Sequence, residues 1–207
     1  MARPCTDNMM QQVINFPATD HSFDSIYPDS VQLLARQHWT PLHVVRLATD
    51  FLTSGLHASR ILDIGSGSGK FCLAGAHFAP QHNFYGVEQR GYILDEARRV
   101  QLHLGISNVN FIHANFTRID LRDYDHFYFF NSFYENLSQQ GRIDEDIEYS
   151  ESLYDYYVQY LHNGLKRMPL GTKIATYHSL YREIPLNYDL VDSLEAGNLN
   201  FWIKNKP

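Results

Sequence analysis

Apolar residues in this chain fall into short continuous runs separated by segments with helical spacing. The runs have the length and density typical of strands buried on both faces. Residues 70–78 and 92–104 lie between runs and carry apolar positions three and four apart, which predicts helices packed on a sheet. Such alternation predicts a parallel sheet with helices on both sides. The predicted strands of this part are 61–64, 84–88, 108–113 and 125–130.

The pattern before the first strand is different. Residues 1–27 are polar and irregular, and we predict an N-terminal extension that is either flexible or draped over the domain. A single domain is predicted over residues 28–207, beginning with a helical cap over residues 28–55. In the second helix of that cap, Thr40 is the predicted N-cap and Pro41 lies in the first turn.

The C-terminal third completes the sheet. Residues 134–150 are polar and acidic, and residues 151–165 carry a helical pattern. A fifth strand is predicted over 172–178, and strands over 189–192 and 200–204 are predicted to pair as an antiparallel hairpin. The fold class is therefore α/β, a three-layer sandwich around a mostly parallel seven-stranded sheet with a C-terminal antiparallel hairpin.

Composition favours one soluble enzyme domain. The chain has 207 residues, 44% hydrophobic and 14% aromatic, and a net charge of −6. That charge gives no electrostatic footprint for a phosphate backbone, so a nucleic acid partner is predicted to be unlikely. Only Cys5 and Cys72 are present and no membrane span or signal-peptide core is found, which predicts a cytoplasmic protein. The eleven histidines are scattered, so no metal site is predicted.

A glycine-dense turn follows the first predicted strand. Gly65, Gly67 and Gly69 recur at every second position, where glycine permits positive φ and lets a ligand approach the backbone. The helix after it would present free backbone N–H groups. A dinucleotide fingerprint requires glycine where Lys70 stands, and a phosphate-binding P-loop requires a hydroxyl where Phe71 stands.

About twenty residues later, the second predicted strand ends at Glu88. A carboxylate can accept hydrogen bonds from both hydroxyls of a ribose. Glu88 at the end of the second strand makes it less favoured that the glycines form only a structural turn. The stretch 61–69 reads apolar-apolar-Asp-apolar-Gly-x-Gly-x-Gly and, together with Glu88, resembles the class I, Rossmann-like methyltransferases that use S-adenosylmethionine.

This resemblance implies a set of cofactor contacts. The loop 65–69 would lie against the methionine part, Asp63 would orient its amino group, and Glu88 would hold the ribose. After the third strand, Asn115 would accept a hydrogen bond from the adenine amino group through its carbonyl oxygen, and Phe116 would pack on the ring. The predicted cofactor-binding residues are Asp63, Gly65, Ser66, Gly67, Gly69, Glu88, Gln89, Asn115, Phe116 and Asn131.

The acceptor side is less defined. Asn131 and Tyr134 match the first and fourth positions of the [Asp/Asn]-Pro-Pro-[Tyr/Phe] motif of methyltransferases that act on nitrogen, whereas Ser132 and Phe133 depart from its prolines. The resemblance therefore implies that Asn131 and Tyr134 are the catalytic positioning residues. The acidic loop 134–150 would select the acceptor and could attract a basic one, although its charges could equally be a solvated surface.

The predicted function is methyl transfer from S-adenosylmethionine to an unidentified acceptor, such as an amine or a protein lysine. No general base stands out, and His178 and Tyr181 are only guesses. The alternative is a catalytically silent protein that binds S-adenosylmethionine as a sensor or partner subunit. A nicotinamide oxidoreductase is disfavoured by the missing glycine at position 70.

Overall fold

The computed structural model describes residues 15–139 and 142–207. Its core is a seven-stranded sheet in the order β3-β2-β1-β4-β5-β7-β6. The first five strands are parallel, and β7 runs antiparallel to both β5 and β6. This confirms the predicted sheet and its C-terminal hairpin. The strands are β1 (Arg60–Ile64), β2 (Asn83–Glu88), β3 (Val109–His113), β4 (His126–Phe130), β5 (Lys173–Tyr177), β6 (Tyr188–Leu194) and β7 (Leu199–Lys204).

Helices cover both faces of the sheet, because alternate strand residues point to opposite sides. Ile61 belongs to an apolar cluster with the helices over residues 42–53 and 70–78, whereas Leu62 belongs to a second cluster with the helix over residues 151–166. The three predicted layers are therefore present. The helices are α1 (Asp20–Asp24), α2 (Asp29–Gln32), α3 (Ala35–His38), α4 (Leu42–Thr53), α5 (Lys70–Phe78), α6 (Gly91–Leu104) and α7 (Glu151–Lys166).

The predicted cap of α4 differs from the structure. Pro41 immediately precedes α4, and no side chain at that N-cap position makes a capping hydrogen bond to the helix. The hydroxyl of Thr40 shares a hydrogen bond of 2.8 Å with that of Tyr128. Instead, Asp20 of α1 accepts a hydrogen bond of 2.9 Å from the backbone N–H of Leu42. A carboxylate from another helix thus stabilises the start of α4.

The described part of the predicted N-terminal extension packs against the domain. Phe23 and Tyr27 are fully or almost fully buried, and the hydroxyl of Tyr27 donates a 2.8 Å hydrogen bond to the carbonyl oxygen of Ser68. Residues 15–27 therefore contact the glycine turn and form a part of the domain, while residues 1–14 lie outside the described residues. In the described ranges, no helix combines the length and the apolar character that crossing a membrane requires.

Candidate active site

A cavity of about 410 Å³ opens at the carboxyl ends of β1, β2 and β4. Ligands of open α/β sheets bind at this edge. We call it the first cavity. Eight of the predicted site residues line it, although they come from four separate parts of the chain. They are Gly65, Gly67, Glu88, Gln89, Asn115, Phe116, Asn131 and Tyr134.

Glu88 is held in place by the backbone. One carboxylate oxygen accepts a hydrogen bond of 3.1 Å from the N–H of Gly67, and the other accepts bonds of 2.9 Å from the N–H groups of Gln89 and Arg90. Burial raises the pKa of Glu88, and the N–H groups of Arg90 and Gly67 act in the opposite direction. Because Glu88 lies on the wall of the first cavity, its carboxylate can serve a bound ligand without moving.

The three glycines of the turn do different work. All have positive φ, between 51° and 80°. A Cβ atom on Gly67 would meet open space, whereas one on Gly65 would lie 2.5 Å from the Cβ of Ser132 and one on Gly69 would lie 2.4 Å from the ring of Phe111. Gly67 therefore leaves room on the cavity side, and the other two permit close packing of protein against protein.

Three predicted cofactor residues lie behind the cavity wall, since Asp63, Ser66 and Gly69 do not line it. Asp63 is buried, and its nearest polar partner is the thiol of Cys72, 3.7 Å away. Burial raises the pKa of Asp63 to about 8. Ser66 packs where a Cβ atom on Gly86 would be only 2.6 Å from its hydroxyl. These three residues therefore support the wall of the cavity, and their predicted contacts with the cofactor stay predictions.

Asn115 lines the cavity, and its side-chain amide already makes hydrogen bonds within the protein. Its carbonyl oxygen accepts hydrogen bonds from the N–H and the hydroxyl of Thr117, at 3.0 and 2.9 Å. Its amide nitrogen donates to the hydroxyl of Tyr157 at 2.8 Å. The adenine contact predicted for Asn115 stays a prediction, and this oxygen is used to hold Thr117. Phe116 stacks on Phe133, with ring centroids 4.8 Å apart.

The turn after β4 is tight despite its missing prolines. The carbonyl oxygen of Asn131 accepts a 3.0 Å bond from the N–H of Tyr134, and Asn131 itself has a φ of 42°. The hydroxyl of Ser132 donates to the carbonyl oxygen of Ile64 at the end of β1. Ser132 therefore fixes the turn to the neighbouring strand. Tyr134 remains half-exposed at the mouth of the cavity.

The sequence interpretation missed Arg90, which joins the acidic loop to the cavity. Its buried guanidinium donates to Glu135 at 2.5 Å, Asp144 at 3.0 Å and the hydroxyl of Tyr149 at 2.7 Å, and lies 3.7 Å from Glu88. Glu135 and Asp144 of the loop are thus paired with Arg90 inside the protein. This pairing weakens their predicted role in attracting a basic acceptor. Residues 140 and 141 of that loop lie outside the described residues.

Part of the chain is similar to a known protein family. A protein-family model described as "Methyltransferase domain" matches residues 57–152. A tRNA (guanine-N(7)-)-methyltransferase of Synechococcus sp. (strain JA-3-3Ab) is 48% identical over 54 residues, which are 26% of this chain and 23% of that protein. The chain is therefore matched to about a quarter of the length of this curated relative.

Two solved structures share the fold. TrmN from Thermus thermophilus has a TM-score of 0.58 at 18% identity, and the match covers 84% of this chain and 51% of that one. An RNA methyltransferase from Salinibacter ruber, in complex with S-adenosyl-L-homocysteine, has a TM-score of 0.52 at 17% identity and covers 80% of this chain and 90% of the other.

The prediction that a nucleic acid partner is unlikely is wrong, because several curated relatives are named as tRNA methyltransferases. A net charge averages over the whole surface and hides local patches. Arg118, Arg122 and Arg167 line one groove in a chain whose net charge is −6. The family match over residues 57–152, the strand order and the cavity beside Glu88 agree with the methyltransferase domain and the S-adenosylmethionine cofactor that the glycine motif predicted.

Proposed function

We propose that this chain transfers the methyl group of S-adenosylmethionine to a ring nitrogen of a base in RNA. The observation that carries the transfer is the first cavity, where Gly67 leaves open space beside the fixed carboxylate of Glu88. The choice of RNA is supported by the names of the curated relatives, of which the chain spans about a quarter. An amine or a protein lysine has no comparable support.

The residues present fit the cofactor. A volume of about 410 Å³ is ordinary for a small-molecule site. The Glu88 carboxylate keeps acceptor capacity for the ribose hydroxyls at Oε2, which accepts only the N–H of Gly67. Gln89 and Phe116 line the same cavity, with Phe116 offering an apolar surface to an adenine ring.

The cofactor supplies a methyl group already activated by a sulfonium, so the protein mainly needs to align a nucleophile and exclude water. Asn131 and Tyr134 are the proposed positioning residues, because they lie where the turn after β4 meets the cavity. The N7 atom of a guanine carries a free lone pair. It can attack without losing a proton, and no general base is then required.

The electrostatics of the cavity wall agree with a reaction that removes no proton. Glu135 is occupied by Arg90 and Tyr149, and Glu88 by backbone N–H groups. Burial lowers the pKa of His38, which also lines the cavity. Its ring nitrogens can form hydrogen bonds that orient a ligand.

Incubation with tritiated S-adenosylmethionine tests this function directly. Unmodified tRNA transcripts, a protein extract and a mixture of small amines are offered separately. We expect label in the RNA fraction with wild-type protein and none with Glu88→Ala, while Glu96→Ala on α6 serves as a matched control that keeps activity. Label confined to protein or amines, or tight binding of S-adenosylhomocysteine with no transfer to any fraction, contradicts the proposal.

A further inference from the structure

A second cavity, of about 550 Å³, adjoins the first. The two cavities share Phe130 and Asn131, at the carboxyl end of β4 and the turn that follows it. The remaining lining comes from the end of β5 and from the N-terminal helices, with Trp39 and Lys70 among them. A group in the second cavity can therefore reach the first at Asn131.

The second cavity has aromatic walls. The rings of Phe130 and Tyr177 lie 4.9 Å apart, and those of Tyr177 and His178 lie 4.3 Å apart. Trp39 contributes a further ring from the N-terminal segment. Aromatic side chains of this kind hold planar bases by stacking.

Polar acceptors line the same space. The ammonium group of Lys70, itself 4% exposed, donates at 2.6 Å to the Oδ1 atoms of both Asp20 and Asp24. The other carboxylate oxygen, Oδ2, of each aspartate makes no hydrogen bond within the described parts of the chain. Two carboxylates facing one ammonium leave a net negative charge and unused acceptors in this cavity.

The backbone around the cavity is strained. Asn131 has a φ of 42° and His178 a φ of 51°, and neither is glycine. Such conformations are unfavourable for residues other than glycine and cluster at functional sites. Both residues line the second cavity and follow adjacent strands of the sheet. The strain therefore concentrates where a ligand of the second cavity would meet a ligand of the first.

We propose that the second cavity binds the acceptor base itself, and that this base is a guanine. Its ring lies among the aromatic side chains of Trp39, Tyr177 and His178, and its N1–H and N2 amino donors face Asp20 and Asp24. Adenine lacks the N1–H donor and fits these carboxylates less well. The negative charge also favours the cation that forms when a ring nitrogen is methylated. This inference rests on the proposed function, which supplies RNA as the source of the base.

Kinetics of RNA methylation test the assignment. Asp24→Asn keeps an oxygen for Lys70 but removes the charge, and His178→Ala removes one aromatic ring. We expect each to lower kcat/KM for tRNA at least tenfold while the affinity for S-adenosylhomocysteine stays within twofold of wild type. The control is Asp29→Asn, an exposed aspartate of α2 outside both cavities. An equal loss of S-adenosylhomocysteine affinity would assign the cavity to the cofactor and overturn the inference, as would unchanged kinetics.

A binding experiment separates this inference from the proposed function. The chain has two tryptophans, so Trp202→Phe leaves Trp39 as the only one. We expect guanosine 5′-monophosphate, in the presence of S-adenosylhomocysteine, to quench the Trp39 emission more strongly than adenosine 5′-monophosphate does. If wild-type protein fails to label RNA but this preference holds, the proposed function is wrong and the guanine site stands. Equal or absent quenching by both nucleotides contradicts the guanine site.

Discussion

The wall of the first cavity and the layer directly behind it are built from neighbouring residues that meet different physical demands. Glu88 on the wall has three backbone N–H donors, whereas Asp63 behind the wall has only the thiol of Cys72. Likewise, Gly67 faces open space and Gly69 faces the ring of Phe111. A cofactor fingerprint thus mixes residues that contact the ligand with residues that allow the wall to pack.

The largest expected effect is at Glu88. Replacement by Ala removes a carboxylate that can accept both ribose hydroxyls, and each such charge-assisted bond contributes about 1.5–3 kcal/mol. We expect the affinity for S-adenosylhomocysteine to fall about a hundredfold or more by isothermal titration calorimetry. Glu96→Ala, which removes the partner of Arg99, is the control. An unchanged affinity in Glu88→Ala would mean that the wall has been assigned to the wrong residue.

Replacing Arg90 tests whether the acidic loop, residues 134–150, forms part of the wall of the first cavity. Arg90→Ala leaves Glu88, Glu135 and Asp144 without their shared cation, and breaking a buried ion pair costs about 3–5 kcal/mol. We expect urea unfolding to show a loss of this order, together with faster proteolysis in residues 134–150. Arg98→Ala, on the exposed surface of α6, should change the unfolding free energy by less than about 1 kcal/mol. Similar losses in both variants would contradict this account.

The two glycines should separate binding from folding. Gly69→Ala places a methyl group against Phe111 at a φ of 80°, and the combined strain and overpacking should cost about 2–4 kcal/mol of stability. Gly67→Ala meets no protein atom, so only its φ of 51° costs about 1–2 kcal/mol. We expect Gly69→Ala to have the lower Tm and Gly67→Ala to lose more S-adenosylhomocysteine affinity. The reverse order would contradict the distinction between Gly67, which lines the first cavity, and Gly69, which packs behind it.

The effect of pH on stability, which is small for each pH unit, tests the protonation of Asp63. Burial raises its pKa to about 8, so the folded chain keeps a proton that the unfolded chain releases above about pH 4. Stability from this group is full below that pH and is lost as the pH rises towards 8. Relative to Asp63→Asn, the wild-type free energy of unfolding should fall by up to about 1.4 kcal/mol per pH unit between pH 5 and 8. Parallel pH profiles from urea titrations of the two proteins would contradict a protonated Asp63.

The sheet and the glycine turn could be predicted because their signals are local. Apolar runs define strands within a few residues, and the span from Gly65 to Glu88 fits in one strand-helix-strand unit. The sequence could not separate Asp63, Ser66 and Gly69 from the residues that line the first cavity. The side of a strand that faces the cavity depends on how α5 packs. The Ser66 hydroxyl, for example, is hidden by its approach to Gly86.

Other misses came from partners distant in sequence. Arg90 contacts Glu135 and Asp144, 45 and 54 positions away, and no spacing rule connects them. A cap is predicted from the residue that precedes a helix, yet α4 is capped by Asp20, 22 positions earlier than Leu42. The prediction from net charge that a nucleic acid partner is unlikely was wrong for the same reason. Net charge carries no information on where charged side chains meet in space.

The most direct test of the central claim is a crystal structure of the protein with S-adenosylhomocysteine. We predict the ligand in the first cavity, with both ribose hydroxyls within about 3.2 Å of the Glu88 carboxylate oxygens and with Gly67 against it. The second cavity should remain free for the acceptor. A ligand bound elsewhere, or a ribose that does not touch Glu88, would contradict the account.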